Sequence, residues 1–172
     1  LAEAERGTAG ETSRNIDRSF YGEDCDANAI IDSLHRVADK EFQKPVPKKP
    51  GLDELLAWLD EQHIPMAVAS SRRMHIIQRN LDNWGLTHYF KTLASGQQVT
   101  HSKPDPEIFL LAAQQLGVEP ARCLVLEDSY NGVRAGAAGG FVTVMVPDLL
   151  PADAEMRRLY AAESTRLHEE LE

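Results

Sequence analysis

A short apolar run, Cys123-Leu124-Val125-Leu126, ends abruptly in two adjacent carboxylates, Glu127 and Asp128, followed by Ser129. A buried parallel strand has no packing reason to finish this way. Each carboxylate must be solvated, paired or bound to a cation, so the carboxyl end of this strand reads as a binding edge. Asp128 is the leading ligand for a hard cation such as Mg2+, with Glu127 as a direct or supporting partner that positions water or Lys103. Taken alone, the pair reads equally well as a strand-ending turn in which Asp128 caps the next helix.

Other polar residues stand at comparable places. Ser70 closes the run Val68-Ala69, where its hydroxyl and nearby amides could bind phosphoryl oxygens, with Ser71 adding a donor. An ordinary helix N-cap before Arg72 and Arg73 is the alternative, and Arg72 itself reads as an outer contact or a solvated charge. Lys103, next to Pro104, is a compact cation suited to offsetting charge on a transferring phosphoryl group, although a lone lysine in such a loop is more often solvated. Asn131 could orient the acidic loop or cap locally. His35, His63, His75, His88, His101 and His168 share no zinc-ligand spacing. Gly132, Gly136, Gly139 and Gly140 form no phosphate-binding signature and read as permitting a tight helix and turn.

The elements that must carry these groups fall into two regions. In residues 1–49, Ile16 and Phe20 mark one short helix, and Ile30, Ile31, Leu34, Val37, Ala38 and Phe42 a longer one, without a convincing strand. The prolines of Pro45-Val46-Pro47-Lys48-Lys49-Pro50-Gly51 favour an extended hinge. Over 50–150 the chain alternates. Leu52, Leu55, Leu56 and Leu59 give a helix, Ile64 to Ser70 a strand, Ile76, Ile77, Leu81 and Trp84 a helix, and Leu93-Ala94 a weak strand. A helix then begins at Asp105-Pro106, with aspartate as N-cap and proline in first position, and carries Ile108, Leu111, Ala112 and Leu116. Cys123 to Leu126 and Phe141 to Val146 are the last strands, separated by a helix through Val133 and Ala137. Residues 151–172, with Leu159, Leu167 and Leu171, read as a terminal helical extension. This alternation predicts an α/β fold with one parallel sheet and covering helices.

Composition limits the partners. The 172 residues carry a formal net charge of -9 and are 42% hydrophobic, enough for one substantial core with a small accessory lobe. That acidity argues against a general nucleic-acid or anionic-membrane surface while leaving room for one local cationic pocket. Cys25 and Cys123 form no CxxC or Cys/His pattern, so a reducing cytoplasmic setting is expected rather than a disulfide staple. No run has the length of a membrane span and no secretory leader is seen. A monomer or weak homodimer is expected.

The order of chemical groups resembles the haloacid dehalogenase-like superfamily of aspartyl phosphohydrolases and phosphomutases, especially members with a small helical cap. Val68-Ala69-Ser70-Ser71 matches its second motif. Lys103 in His101-Ser102-Lys103-Pro104-Asp105-Pro106 matches its third, and Glu127-Asp128-Ser129-Tyr130-Asn131-Gly132 its fourth. The resemblance implies a Rossmann-like parallel-sheet core at 50–150 with a helical cap and hinge at 1–49. It also implies catalytic and phosphate-binding roles for Ser70, Ser71 and Lys103, and Mg2+ as cofactor at Asp128 and Glu127.

One departure matters. The family opens with a strand carrying Asp-x-Asp, whose first aspartate attacks phosphorus, and no such strand precedes the cap-like region here. Asp17, Asp24 and Asp26 follow no hydrophobic strand, so the nucleophile is expected to lie outside this chain, and the core is expected to be truncated at its amino end. The activity implied is Mg2+-dependent hydrolysis of a small phosphorylated metabolite through an aspartyl-phosphate in the full-length protein, the 172 residues alone being inactive. A sugar phosphomutase of the β-phosphoglucomutase type and a non-catalytic phosphometabolite-binding protein are the alternatives.

Overall fold

The computed structural model describes residues 10–41, 47–148 and 151–163. Helices α1, Gly10–Tyr21, and α2, Ala27–Glu41, form the amino-terminal unit and pack on each other. The Asp26 carboxylate starts α2 by accepting from the Ala29 amide at 3.0 Å. Several apolar residues that mark these helices in sequence, Phe20, Leu34 and Val37, are exposed rather than buried. Phe42 and Pro45 lie outside the described residues. The hinge is tied down at its end: Lys49 donates to the Pro147 carbonyl and pairs with Asp148, both at 3.3 Å.

The core then alternates as its hydrophobic spacing requires. Helix α3, Leu52–Glu61, buries Leu55 and Leu56 and leads to strand β1, Met66–Ser70. Helix α4, Met74–Trp84, ends at Gly85, whose φ of 68° suits a residue without a Cβ. Strand β2, Phe90–Ser95, is longer than the Leu93-Ala94 pair suggested, and pairs in parallel with β1, Ser70 opposite Ser95. Both faces of this pair are covered. Ala67, Ala69 and Ala94 face the cluster built on helix α5, Glu107–Leu116, while Val68 and Leu93 face the cluster built on α3 and α4.

Strand β3, Leu124–Glu127, pairs in parallel with β4, Val142–Met145, and β4 with β5, Ala162–Glu163. Helix α6, Tyr130–Ala138, lies against β4 so closely that a Cβ on Gly136 would stand 2.4 Å from Thr143 Oγ1. The expected single sheet is therefore two, ordered β1-β2 and β3-β4-β5, sharing one core around Ile108, Phe109, Val125 and Phe141. Among the described residues β1 and β3 are both edge strands. Val125 is buried, but Leu124 and Leu126 are 42% and 39% exposed, because packing helices cover one face of β3. The tail is described as far as residue 163. Helix α7, Met156–Leu159, is a single turn packed on α6, and β5 follows it. Leu167 and Leu171 lie outside the described residues. No helix among the described residues is long and apolar enough to cross a membrane.

Candidate active site

The carboxyl end of β3 places Glu127 where three neighbouring donors meet one of its oxygens. The amides of Asp128 and Ser129 donate to Oε2 at 3.1 Å each, and the Ser129 hydroxyl donates at 2.9 Å. The other oxygen, Oε1, accepts from the Lys103 ammonium. Both side chains are nearly enclosed, at 5% and 9% exposure, so this is a buried ion pair in which the second Glu127 oxygen is satisfied by hydrogen bonds. Phe109 completes the surroundings, its ring centroid 4.5 Å from the Lys103 nitrogen.

Lys103 reaches this position because it lies in the loop joining β2 to α5. The loop is fastened to the helix start by Asp105 and Glu107. Asp105 accepts from the Glu107 amide at 2.9 Å, but the helix begins at Glu107, so Pro106 and not the expected Asp105 is its N-cap residue. The Glu107 carboxylate accepts from the Thr100 amide at 2.9 Å and the His101 amide at 2.6 Å. Those bonds, Thr100 first, hold its carboxyl below the usual value.

Ser129, and not Asp128, caps α6, its hydroxyl accepting from the Gly132 amide at 3.0 Å. Asp128 is half-buried beside it. Gly132 has a role that its place in a helix did not suggest: a Cβ there would lie 2.0 Å from the Glu127 carboxyl carbon. Asn131 accepts from Arg134 at 3.2 Å, and Arg134 in turn grips Glu155 through two bonds of 2.8 and 2.6 Å. Asn131 is thus connected to the clamp that holds the tail.

At the end of β1, Ser70 accepts from the Arg72 amide at 3.2 Å in a local turn, and it does not cap the following helix, whose N-cap residue is Arg73. Ser71 lies against the end of β2, where a Cβ on Gly96 would meet its carbonyl oxygen at 2.6 Å. Arg72 is exposed. The structure therefore joins Lys103 directly to Glu127, with Asp128 adjacent in the chain, and sets Ser70 and Ser71 at the carboxyl end of the other sheet's edge strand.

Sequence spacing missed one group. His101, Asp105 and Glu107 offer ligand atoms that lie within 4.8 Å of one another, a set consistent with holding a divalent cation. They border a shallow cavity of about 370 Å³ that also includes Gln98, Leu111 and Gln114. Searching the histidines for zinc-type spacing among themselves passed over carboxylates four and six residues further on.

A sequence profile described as haloacid dehalogenase-like hydrolase matches residues 3–146. This chain belongs to that family. It is similar to hexitol phosphatase B of Escherichia coli strain K12, 37% identical over 118 residues, which cover 69% of this chain and 53% of the relative. It is also similar to fructose-1-phosphate phosphatase YqaB of the same strain, 33% identical over 123 residues, covering 72% and 64%. Among solved structures, β-phosphoglucomutase from Clostridium difficile matches with a TM-score of 0.61 and 25% identity, covering 69% of this chain and 50% of that one. The chain thus spans between half and two thirds of the length of these relatives.

Proposed function

We propose that this chain supplies the phosphate-binding and charge-offsetting part of a Mg2+-dependent phosphomonoesterase acting on a small phosphorylated metabolite. The observation that carries this reading is the buried Lys103–Glu127 ion pair at the end of β3, next to Asp128. A buried, oriented ammonium at a strand end is suited to a transferring phosphoryl group, and a loosely hydrated surface lysine is not.

The proposed roles are these. Lys103 offsets charge on the phosphoryl group and on its acceptor, and Glu127 orients Lys103. Ser70 and Ser71 offer hydroxyls and amides to phosphoryl oxygens, with Arg72 as an outer contact and Asn131 in support. Asp128 is the residue that would hold Mg2+. Its carboxylate offers the oxygen ligands a hard cation takes, while the Glu127 oxygens accept from Lys103, Ser129 and backbone amides. Mg2+ bound there would supply charge neutralisation to the substrate phosphate.

The acceptor is proposed to be an aspartate outside these 172 residues, on a strand that pairs with the free edges of β1 and β3. Its carboxylate oxygen forms a bond to phosphorus as the bond to the leaving oxygen breaks, and a second carboxylic acid gives that oxygen its proton. Water then attacks the aspartyl-phosphate, releasing inorganic phosphate and regenerating the carboxylate. Phosphate release by the complete protein from hexitol phosphates and fructose 1-phosphate, with and without Mg2+, tests the reading. Absence of metal-dependent turnover by folded protein would remove it.

The likeness to a β-phosphoglucomutase structure favours a second reading, transfer of the phosphoryl group between sugar hydroxyls. Interconversion of hexose 1-phosphate and hexose 6-phosphate with little free phosphate would put it first.

A further inference from the structure

We propose that Ser129 is a positioning residue: its hydroxyl fixes the Glu127 carboxylate, and through it the Lys103 ammonium, in the orientation a phosphoryl site needs. The purpose of this arrangement rests on the phosphoryl-transfer reading; its geometry does not.

Ser129 is 3% exposed and has extended backbone before α6. A hydroxyl has one proton to give. The Gly132 amide is itself a donor to Ser129 Oγ, so that proton is left for Glu127 Oε2, 2.9 Å away. Together with the amides of Asp128 and Ser129 it gives Oε2 three donors, and Oε1 is left to face Lys103. Gly132 permits this close approach, because a Cβ there would lie 2.0 to 2.3 Å from the Glu127 carboxyl atoms. The carboxylate is thus pressed against the first turn of a nine-residue helix, where negative charge is favoured. The Phe109 ring also meets the ammonium, its centroid 4.5 Å away.

An ordinary helix cap accounts for the bond from Gly132 but not for the proton aimed at Glu127. An aspartate could cap this helix equally well, yet has no proton to offer. Serine is the small residue that does both. Without the hydroxyl, Glu127 keeps only backbone donors on Oε2 and gains room to rotate, and Lys103 loses its fixed partner.

The test is the reactivity of the Lys103 amine in the 172-residue chain, measured by reductive methylation and mass spectrometry as a ratio to the exposed Lys91. Ser129→Gly removes the hydroxyl while retaining a residue well tolerated at an N-cap. The Lys103 ratio is expected to rise about fivefold, the equivalent of one lost hydrogen bond, and Ser129→Thr is expected to restore it. An unchanged ratio in folded Ser129→Gly overturns the proposal. If Ser129→Gly does not fold, Ser129→Asp decides: it retains a capping oxygen without the proton, so a raised ratio supports positioning and a wild-type ratio overturns it. Labelling does not require turnover. A complete protein without phosphatase activity would therefore unseat the hydrolase reading and leave the positioning of Lys103 to be decided by the labelling ratio.

Discussion

The Lys103 ammonium, paired with Glu127, lies over the face of Phe109, 4.5 Å from the ring centroid. The lysine therefore meets both a carboxylate and a π face. Phe109 also meets Phe141 edge to face, with centroids 5.9 Å apart, so the ring is fixed by the core. Phe109→Leu is expected to lower stability by about 1–3 kcal/mol, combining lost packing with lost cation–π attraction. Phe109→Tyr, which keeps the ring, should lose less. Urea midpoints of the two variants check this, and equal losses would show that the ring face does not matter.

The Lys103–Glu127 pair should behave as a buried pair. Lys103→Met alone leaves a carboxylate enclosed without its cation and should destabilise by about 3–5 kcal/mol. Adding Glu127→Gln to Lys103→Met should recover part of that loss, since no uncompensated charge remains. Additive losses in a double-mutant cycle would contradict direct coupling.

At two glycines the same substitution is opposed for different reasons. Gly132→Ala drives a methyl into the Glu127 carboxylate and should cost about 1–3 kcal/mol or more by overpacking. At Gly117 nothing stands within 4 Å, and only the positive φ of 73° opposes a side chain, about 1–2 kcal/mol. In Gly132→Ala the damage should extend to Lys103, detectable as raised amine reactivity. Gly117→Ala should leave that reactivity unchanged.

The pH dependence of stability follows from carboxyls held below their usual values. Glu107 is lowered by the Thr100 and His101 amides, and Glu155 chiefly by Arg134. For such groups the stabilisation is fully present above the unfolded value, 4.5 for both, and is lost as pH falls through the lower folded value. The difference in melting temperature between wild type and Glu107→Gln should be constant above about pH 5.5 and shrink on acidification. A difference that grows toward acid would reverse the sign argued here.

Much of this was legible in the sequence, for identifiable reasons. The Val68-Ala69-Ser70 and Val125-Leu126-Glu127 runs revealed strand ends because apolar residues stop where polar chemistry begins. Val68 and Val125 are packed on their clusters as that pattern requires. Lys103 could be paired with the acidic loop only through the family resemblance, since a contact across 24 positions leaves no local periodic trace. The roles of Ser129 and Gly132 were hidden because capping and tight turns explain both residues before the Glu127 side chain is placed. The division into two sheets was equally hidden. Strand identity follows from local pattern, whereas strand adjacency depends on which edges meet.

Asp17 gives the last prediction. It lies within α1 between Ile16 and Arg18, it is 0% exposed, and neither carboxylate oxygen has a hydrogen-bond partner among the described residues. Its position inside a helix agrees with the expectation that it is no substitute for a strand-end nucleophile. A fully enclosed polar group without a partner costs free energy that an apolar residue of similar volume does not. Leucine also has the higher helix propensity. Asp17→Leu is therefore expected to raise stability by about 1–3 kcal/mol, read as a higher urea midpoint of the 172-residue chain. Asp17→Asn, which removes charge but retains polarity, should gain less. A loss of stability in both variants would mean that the carboxylate is engaged in solution by a partner, and that α1 is ordered by it.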